Sequence, residues 1–596
     1  MKLATVDISI IIIYLIFLVG LGIYFSRRAS KNITSYFLGG RNIPWYILGI
    51  SNASGMVDIT STIWLVSLAF IYGVKSAFFP WIWPVFNQIF LMIYVAVWLR
   101  RSGVLTGAEW MKTRFGEHQG GTLSRLIIVV FALISVIGFI AYAFKGIGKF
   151  SVVFLPWDLS ENVYAMIIMG ITTIYVIAGG MFSVVFTDIV QFLILTIVSI
   201  IVGIIAMVRV SPVTLQALVP EGWFNLFSKW RLDMDWSGLI SGVNEQIAAD
   251  GYSLFYVVIM MMLLKGVFVS MAGPAPNYDM QRILAARTPR DAAKISFMSA
   301  VVIPIPRYFM VVGITILGLA FLDPQLLSVG EHLDFERILP FVLNNFIPAG
   351  LLGLIIVGFL AAFMSTIDST VNSGAAYIVN DLYKKYFGNQ ASDKKLVIIG
   401  YIASFLIVVI GVTFGFFIDS VDSITKWLFA ALVSGYVASN ILKWHWWRLN
   451  GYGYFAGMLA GIIGALFIPA LFPGIQFIYF FPLIFIISFI ACIVVSLWTP
   501  PEKMTILRKF YKQVRPWGFW KPVLTELKSQ NSSIENKNFS RDMINVAVGI
   551  VWQFTLTLLP FYIILRAVPQ VIAVSVIIVI TSIWLKYKWY DKLENH

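Results

Sequence analysis

Runs of roughly twenty apolar residues, separated by short polar stretches, recur along this chain from about residue 4 to about residue 587. A bilayer demands that pattern: about 20 residues of helix cross its ~30 Å hydrocarbon core, where backbone amides are satisfied only inside a helix or a closed barrel. Composition agrees. Of 596 residues 59% are hydrophobic and 12% charged, whereas soluble domains carry about 25% charged residues. The chain reads as one all-α polytopic membrane protein.

About fifteen spans are expected. They group into a peripheral first helix and inner loop (1–43), five spans (44–208), an outer loop (209–250) and five more spans (251–441). Two peripheral spans (442–498), a basic segment (499–540) and two C-terminal spans (541–596) follow. The first apolar stretch, Ile8–Phe25, is long enough to cross, and Arg27 and Arg28 follow it, so it reads as a retained helix. Of 43 Lys and Arg residues, 31 fall in one alternating set of loops and the tail. By the positive-inside rule that set is cytoplasmic, with the N-terminus outside and the C-terminus inside an inner (plasma) membrane. The net charge of +14 is then a topology signature and does not call for nucleic acid.

Several chemistries are excluded early. Cys492 is the single cysteine, so no intrachain disulfide or thiolate metal site forms. The four histidines (His118, His332, His445, His596) are far apart, and no G-x-x-x-x-G-K-[ST] loop occurs. ATP hydrolysis does not drive this chain, and no catalytic residues are assigned.

Two spans are interrupted. The second (44–72) holds Gly49-Ile50-Ser51-Asn52-Ala53-Ser54-Gly55-Met56-Val57-Asp58, and the seventh (251–273) ends in Gly273-Pro274-Ala275-Pro276-Asn277. Prolines two apart remove amide donors and clash with the preceding turn; glycines and serines also serve ordinary close packing. The breaks are five spans apart, an odd number that inverts direction, so spans 2–6 and 7–11 are expected to form an inverted repeat. Paired broken helices mark a transporter site at the midplane, where unwound carbonyls meet a cation and helix ends meet a solute.

The ninth span (346–381) carries Ser365, Asp368 and Ser369 at i, i+3 and i+4, an oxygen-rich strip suited to a hard cation. The alternative is that the hydroxyls bond back to their own helix. Asp188, in Phe186-Thr187-Asp188-Ile189-Val190-Gln191, reads as the acid opening the sixth span and satisfying free amides there. Lys265 and Arg307 lie within spans seven and eight, where intramembrane charge is a functional hypothesis by default. Asp58 either lines the same cavity or pairs with one of them.

These segments resemble the sodium:solute symporter family of sodium/sugar, sodium/proline and sodium/sialic acid symporters. The resemblance is carried by Tyr36-Phe37-Leu38-Gly39-Gly40-Arg41, Ala178-Gly179-Gly180-Met181 with Thr187-Asp188, Gln281-Arg282-Ile283-Leu284-Ala285-Ala286, and Ala361-Ala362-Phe363-Met364-Ser365-Thr366. It implies a leucine-transporter-type five-plus-five inverted repeat with extra peripheral helices, working by sodium-driven alternating access. It also implies a sodium site from the carbonyls of Ser54, Val57 and Ala362 and the hydroxyls of Ser365 and Thr366. Asp188 and Asp368 would serve a second sodium or its exit path. The cofactor-like co-substrate is Na+, and the partners are a small polar solute and the bilayer.

The substrate candidates flank the breaks: Asp58, Ser61, Trp81, Lys265, Ala272, Asn277 and Arg307. Sugar-transporting relatives place an acidic contact where this chain has Pro80 before Trp81, so a sugar-like solute and an organic acid both stand. A membrane enzyme such as a lipid-linked glycosyltransferase would need an acidic metal cluster, and Asp233-Met234-Asp235 among Trp223, Trp230 and Trp236 reads better as an interfacial lid. A nutrient sensor would need a signalling domain, which the basic segment is too short to be.

Overall fold

The computed structural model describes residues 3–594 apart from 83–84, 324–326, 330–331, 389, 418–432, 473–474 and 530–533. It is helical, with one two-stranded ribbon among the described residues, Ser328–Val329 against His332–Leu333. Twelve helical stretches among them are long and apolar enough to cross a membrane. The expected fifteen differ from this at three places: two expected spans form one kinked helix, the third is built of short pieces, and much of the eleventh (423–432) lies outside the described residues.

Helix α1 (Thr5–Ala29) leads to α2 (Trp45–Ser54) and α3 (Ile59–Tyr72), the two halves of the broken second span. The third span begins as a 3-10 stretch, Gly73–Ile82, and resumes as α4 (Asn87–Phe90), a π turn (Leu91–Val95) and α5 (Ala96–Arg101). Then come α6 (Gln119–Phe154) and α7 (Glu161–Arg209). At 1.5 Å per residue the 49 residues of α7 would run about 74 Å, more than twice the hydrocarbon thickness. Gly180 divides it, at φ 50° and ψ −149°, where a Cβ would stand 2.7 Å from the carbonyl oxygen of Tyr36.

The second set repeats the plan. Helix α8 (Phe255–Ala272) breaks into α9 (Tyr278–Ala285), followed by α10 (Pro289–Val302), α11 (Pro304–Phe321), α12 (Leu351–Tyr377), α13 (Asp393–Phe416) and α14 (Val433–His445). The eighth span starts earlier than expected, because Thr288 caps α10 by accepting from the Asp291 amide at 3.1 Å. Outside the two sets lie α15 (Gly451–Leu471), α16 (Phe481–Trp498), α17 (Phe539–Ile564) and α18 (Val568–Lys588).

The loop over 209–250 folds back onto the bundle. Trp223 donates to the carbonyl of Phe70 at 3.0 Å and Trp236 stacks on the Phe70 ring at 6.1 Å, while Trp230 stays exposed. The basic segment also docks: Leu507, Phe510 and Trp520 are buried, and Trp520 donates to the Trp444 carbonyl at 3.0 Å. Its apolar face thus meets protein.

Candidate functional site

Both interruptions are real gaps in the helical ladder. After Ser54 the chain unwinds through Gly55, Met56 and Val57 until Asp58, in extended conformation, caps α3 by accepting from the Ser61 amide at 2.8 Å. After Ala272, Gly273 adopts φ +87° and ψ −175°, the two prolines extend the chain, and Asn277 caps α9 by accepting from the Asp279 amide at 3.1 Å.

Carbonyls freed inside a membrane need partners. At the second break α14 supplies them: Trp444 donates to Ala272 at 3.1 Å and Tyr436 to Pro274 at 2.8 Å. At the first break the donors come from α11 and α12. Arg307 donates to the Met56 carbonyl, and the Thr366 hydroxyl reaches the Gly55 carbonyl at 3.4 Å and that of Ala362 at 3.2 Å.

The two breaks open on a cavity of about 1220 Å³. Of the substrate candidates, Asp58, Ser61, Lys265, Asn277 and Arg307 line it. Trp81 and Ala272 do not: Trp81 packs on Phe78, Phe86 and Phe554, and Ala272 contributes its carbonyl to Trp444. Asp58 is engaged by the Ser61 amide at 2.8 Å and by the Tyr142 hydroxyl at 3.3 Å. The acid thus caps the helix that follows the unwound segment, and a backbone carbonyl of that segment, Met56, holds the Arg307 guanidinium. Sequence reading missed Tyr142, Asn87 and Gln88, which also line the cavity.

Around the first break the oxygens of Ser54, Val57, Ala362, Ser365 and Thr366 come from two elements that meet. Thr366 and Gly55 reach the cavity, while Ser54 and Ser365 are buried behind them. Such a set, all oxygen without nitrogen or sulfur, has the donor chemistry of a hard-cation site.

Beneath it lies a buried polar knot. Asp188 accepts from Ser51 of α2 and Ser365 of α12, and pairs with Arg282 of α9 at 2.8 Å. Arg282 also donates to Ser51 at 2.8 Å and Ser369 at 2.6 Å. Asp368 accepts from Tyr175 at 3.0 Å, Ser369 at 3.1 Å and Thr187 at 3.4 Å. One expectation is corrected here. Asp188 does not open a helix: it lies eight residues beyond the Gly180 kink, where the ladder is complete and no free amide needs it. Arg282 is buried with it, at 1% exposure. With both acids ionised, two carboxylates and one guanidinium leave one net negative charge, and buried charge of this kind persists only when paired.

The profile of the sodium:solute symporter family matches residues 36–461. The chain is 26% identical over 565 residues to sodium/glucose cotransporter 4 of Mus musculus, covering 84% of this chain and 76% of that one. It is 26% identical over 578 residues to the sodium/myo-inositol cotransporter of Homo sapiens, covering 87% and 76%. Its fold matches the substrate-bound, outward-open structure of a Na+-coupled sialic acid symporter with a TM-score of 0.66 at 19% identity, covering 84% of this chain and 99% of that one. Broken helices five spans apart, an all-oxygen set between the first break and α12, and a match over most of the core lead to one conclusion: this chain belongs to the sodium:solute symporter family, sodium-coupled carriers of small polar solutes.

Proposed function

We propose that this protein couples inward sodium flow to uptake of a neutral, sugar-like polyol. The observation that carries the reading is a pair of buried polar atoms in the cavity wall. Asn87 Oδ1 and Gln88 Nε2 have no hydrogen-bond partner among the described residues. One accepts and the other donates, and a hydroxyl group satisfies both kinds, whereas a carboxylate only accepts. Relatives named for glucose and myo-inositol support the same class. A sugar acid is the second reading, favoured by Lys265 and Arg307 on the cavity wall.

Sodium binds between the first break and α12 through Ser54, Val57, Ala362, Ser365 and Thr366, fixing the unwound segment that faces the solute. Asp188 and Asp368 receive the ion on its way inward or hold a second one. Coupling is reciprocal, so bound solute tightens sodium in turn. Rocking of one helix set against the other then exposes both to the cytoplasm, where the C-terminus lies. One sodium crossing ~100 mV contributes ~2.3 kcal/mol and a tenfold gradient ~1.4 kcal/mol. Together these sustain an accumulation on the order of 500-fold at one sodium per solute.

Uptake of labelled myo-inositol, D-glucose and N-acetylneuraminate into proteoliposomes tests this. Sodium-driven uptake of a neutral polyol is expected. Preference for N-acetylneuraminate refutes the polyol reading, and equal uptake in potassium or choline refutes the sodium site.

A further inference from the structure

Helix α17 belongs to neither set of five spans, yet it lays a polar side chain into the cavity wall. Gln553 lines the cavity and is 8% exposed. Its neighbour Phe554 stacks on Phe78 at 5.0 Å and meets Trp81 at 5.4 Å, which seats this turn of α17 against the 3-10 stretch leading into the third span. Gln553 Nε2 donates to the carbonyl of Val85 at 3.0 Å, so the amide plane is fixed. Its Oε1 is buried and, among the described residues, has no hydrogen-bond partner. Just beyond Val85 stand Asn87 and Gln88, each with an amide atom in the same condition. A buried polar atom without a partner costs about 1–3 kcal/mol, so native folds pair nearly all of them. What sets these three apart is their place: Asn87, Gln88 and Gln553 all line the solute cavity, where a ligand can supply the missing partners.

We infer that Gln553 is a specificity-determining contact of this carrier: its amide oxygen accepts a hydrogen bond from a substrate hydroxyl, closing an amide-lined subsite with Asn87 and Gln88. The inference rests on the polyol reading for its donor, a substrate hydroxyl, since a carboxylate group has no proton to give Gln553 Oε1 or Asn87 Oδ1. Recognition then draws on a C-terminal helix outside the repeat. A site built to hydrogen-bond a hydroxyl rejects analogues that lack it, since its own buried group is left unpaired.

The full-length chain in proteoliposomes decides it, with myo-inositol, D-glucose and the monodeoxy analogues of whichever polyol is transported as probes. Gln553→Met is expected to raise the half-saturation concentration of that polyol about tenfold, while the maximal rate and the sodium half-saturation stay within about twofold. One monodeoxy analogue, penalised by the wild type, should lose its penalty in the variant, a change that mere loosening of α17 would not produce. An unchanged half-saturation and analogue pattern overturns the inference. Gln553→Cys supplies a readout that needs no transport: Cys492 is buried, so a hydrophilic thiol reagent should modify residue 553 alone, and the transported polyol should protect it. Absence of modification, or modification without protection, overturns the inference. Should the wild type carry no neutral polyol, the polyol reading fails on that measurement, separately from the Gln553 comparison, which is then read on N-acetylneuraminate: its hydroxyls can donate to the same amide oxygen, so failure to protect Gln553→Cys overturns the contact.

Discussion

Removing Arg282 tests whether the knot beneath the proposed sodium site holds the two sets of helices together. Its guanidinium is 1% exposed, pairs with Asp188 at 2.8 Å, and touches Ser51 and Ser369 as well. Arg282→Met leaves the Asp188 carboxylate buried, facing the hydroxyls of Ser51 and Ser365 without a cation. Breaking a buried pair from one side costs about 3–5 kcal/mol, because the remaining charge is uncompensated. Asp188→Asn is expected to cost less, since the amide still accepts from a serine and Arg282 keeps Ser51 and Ser369. Together, Asp188→Asn and Arg282→Met remove both charges, so their combined loss should fall short of the sum by roughly 2 kcal/mol, within the usual coupling range for residues in contact. Thermal unfolding in detergent, followed by the amount of monodisperse protein surviving at each temperature, measures this. Sodium-driven uptake should collapse in Arg282→Met and recover in part in the double variant. Additive losses would refute the argument, as would an Arg282→Met protein as stable as the wild type.

Two further outcomes follow from the breaks themselves. Ser365→Ala with Thr366→Ala should raise the sodium concentration for half-maximal uptake by tenfold or more, about 1.4 kcal/mol; wild-type sodium dependence in that double variant would remove both hydroxyls from the ion's path. Gly273→Ala forces a Cβ onto a backbone at φ +87° and to 3.1 Å from Val95 Cγ1, so it should cost about 1–3 kcal/mol and lower the unfolding midpoint, whereas an unshifted midpoint would mean that the break does not need glycine.

The breaks were legible because their causes are local. Pro274 and Pro276 act on the turn that contains them, and Ser54, Gly55 and Asp58 are the residue types that leave a helix and restart one. Hydroxyl spacing on the ninth span was equally readable, since 3.6 residues per turn places 365 and 369 on one face wherever the helix goes. The role of Asp188 was misread for the same reason: an acid near an expected helix start suggests a cap, and nothing local says that Gly180 bends the chain without ending the ladder.

Hydropathy by itself determined that this chain is a multi-pass membrane protein, because lipid leaves each span to satisfy its own backbone, and the paired interruptions marked where its helices break. Only the tertiary structure decided which side chains meet there. Asp188 and Arg282 are 94 residues apart and Gln553 stands 468 residues from the carbonyl it holds. Such partnerships arise from how helices pack against one another, and interhelical packing leaves no periodicity along the chain.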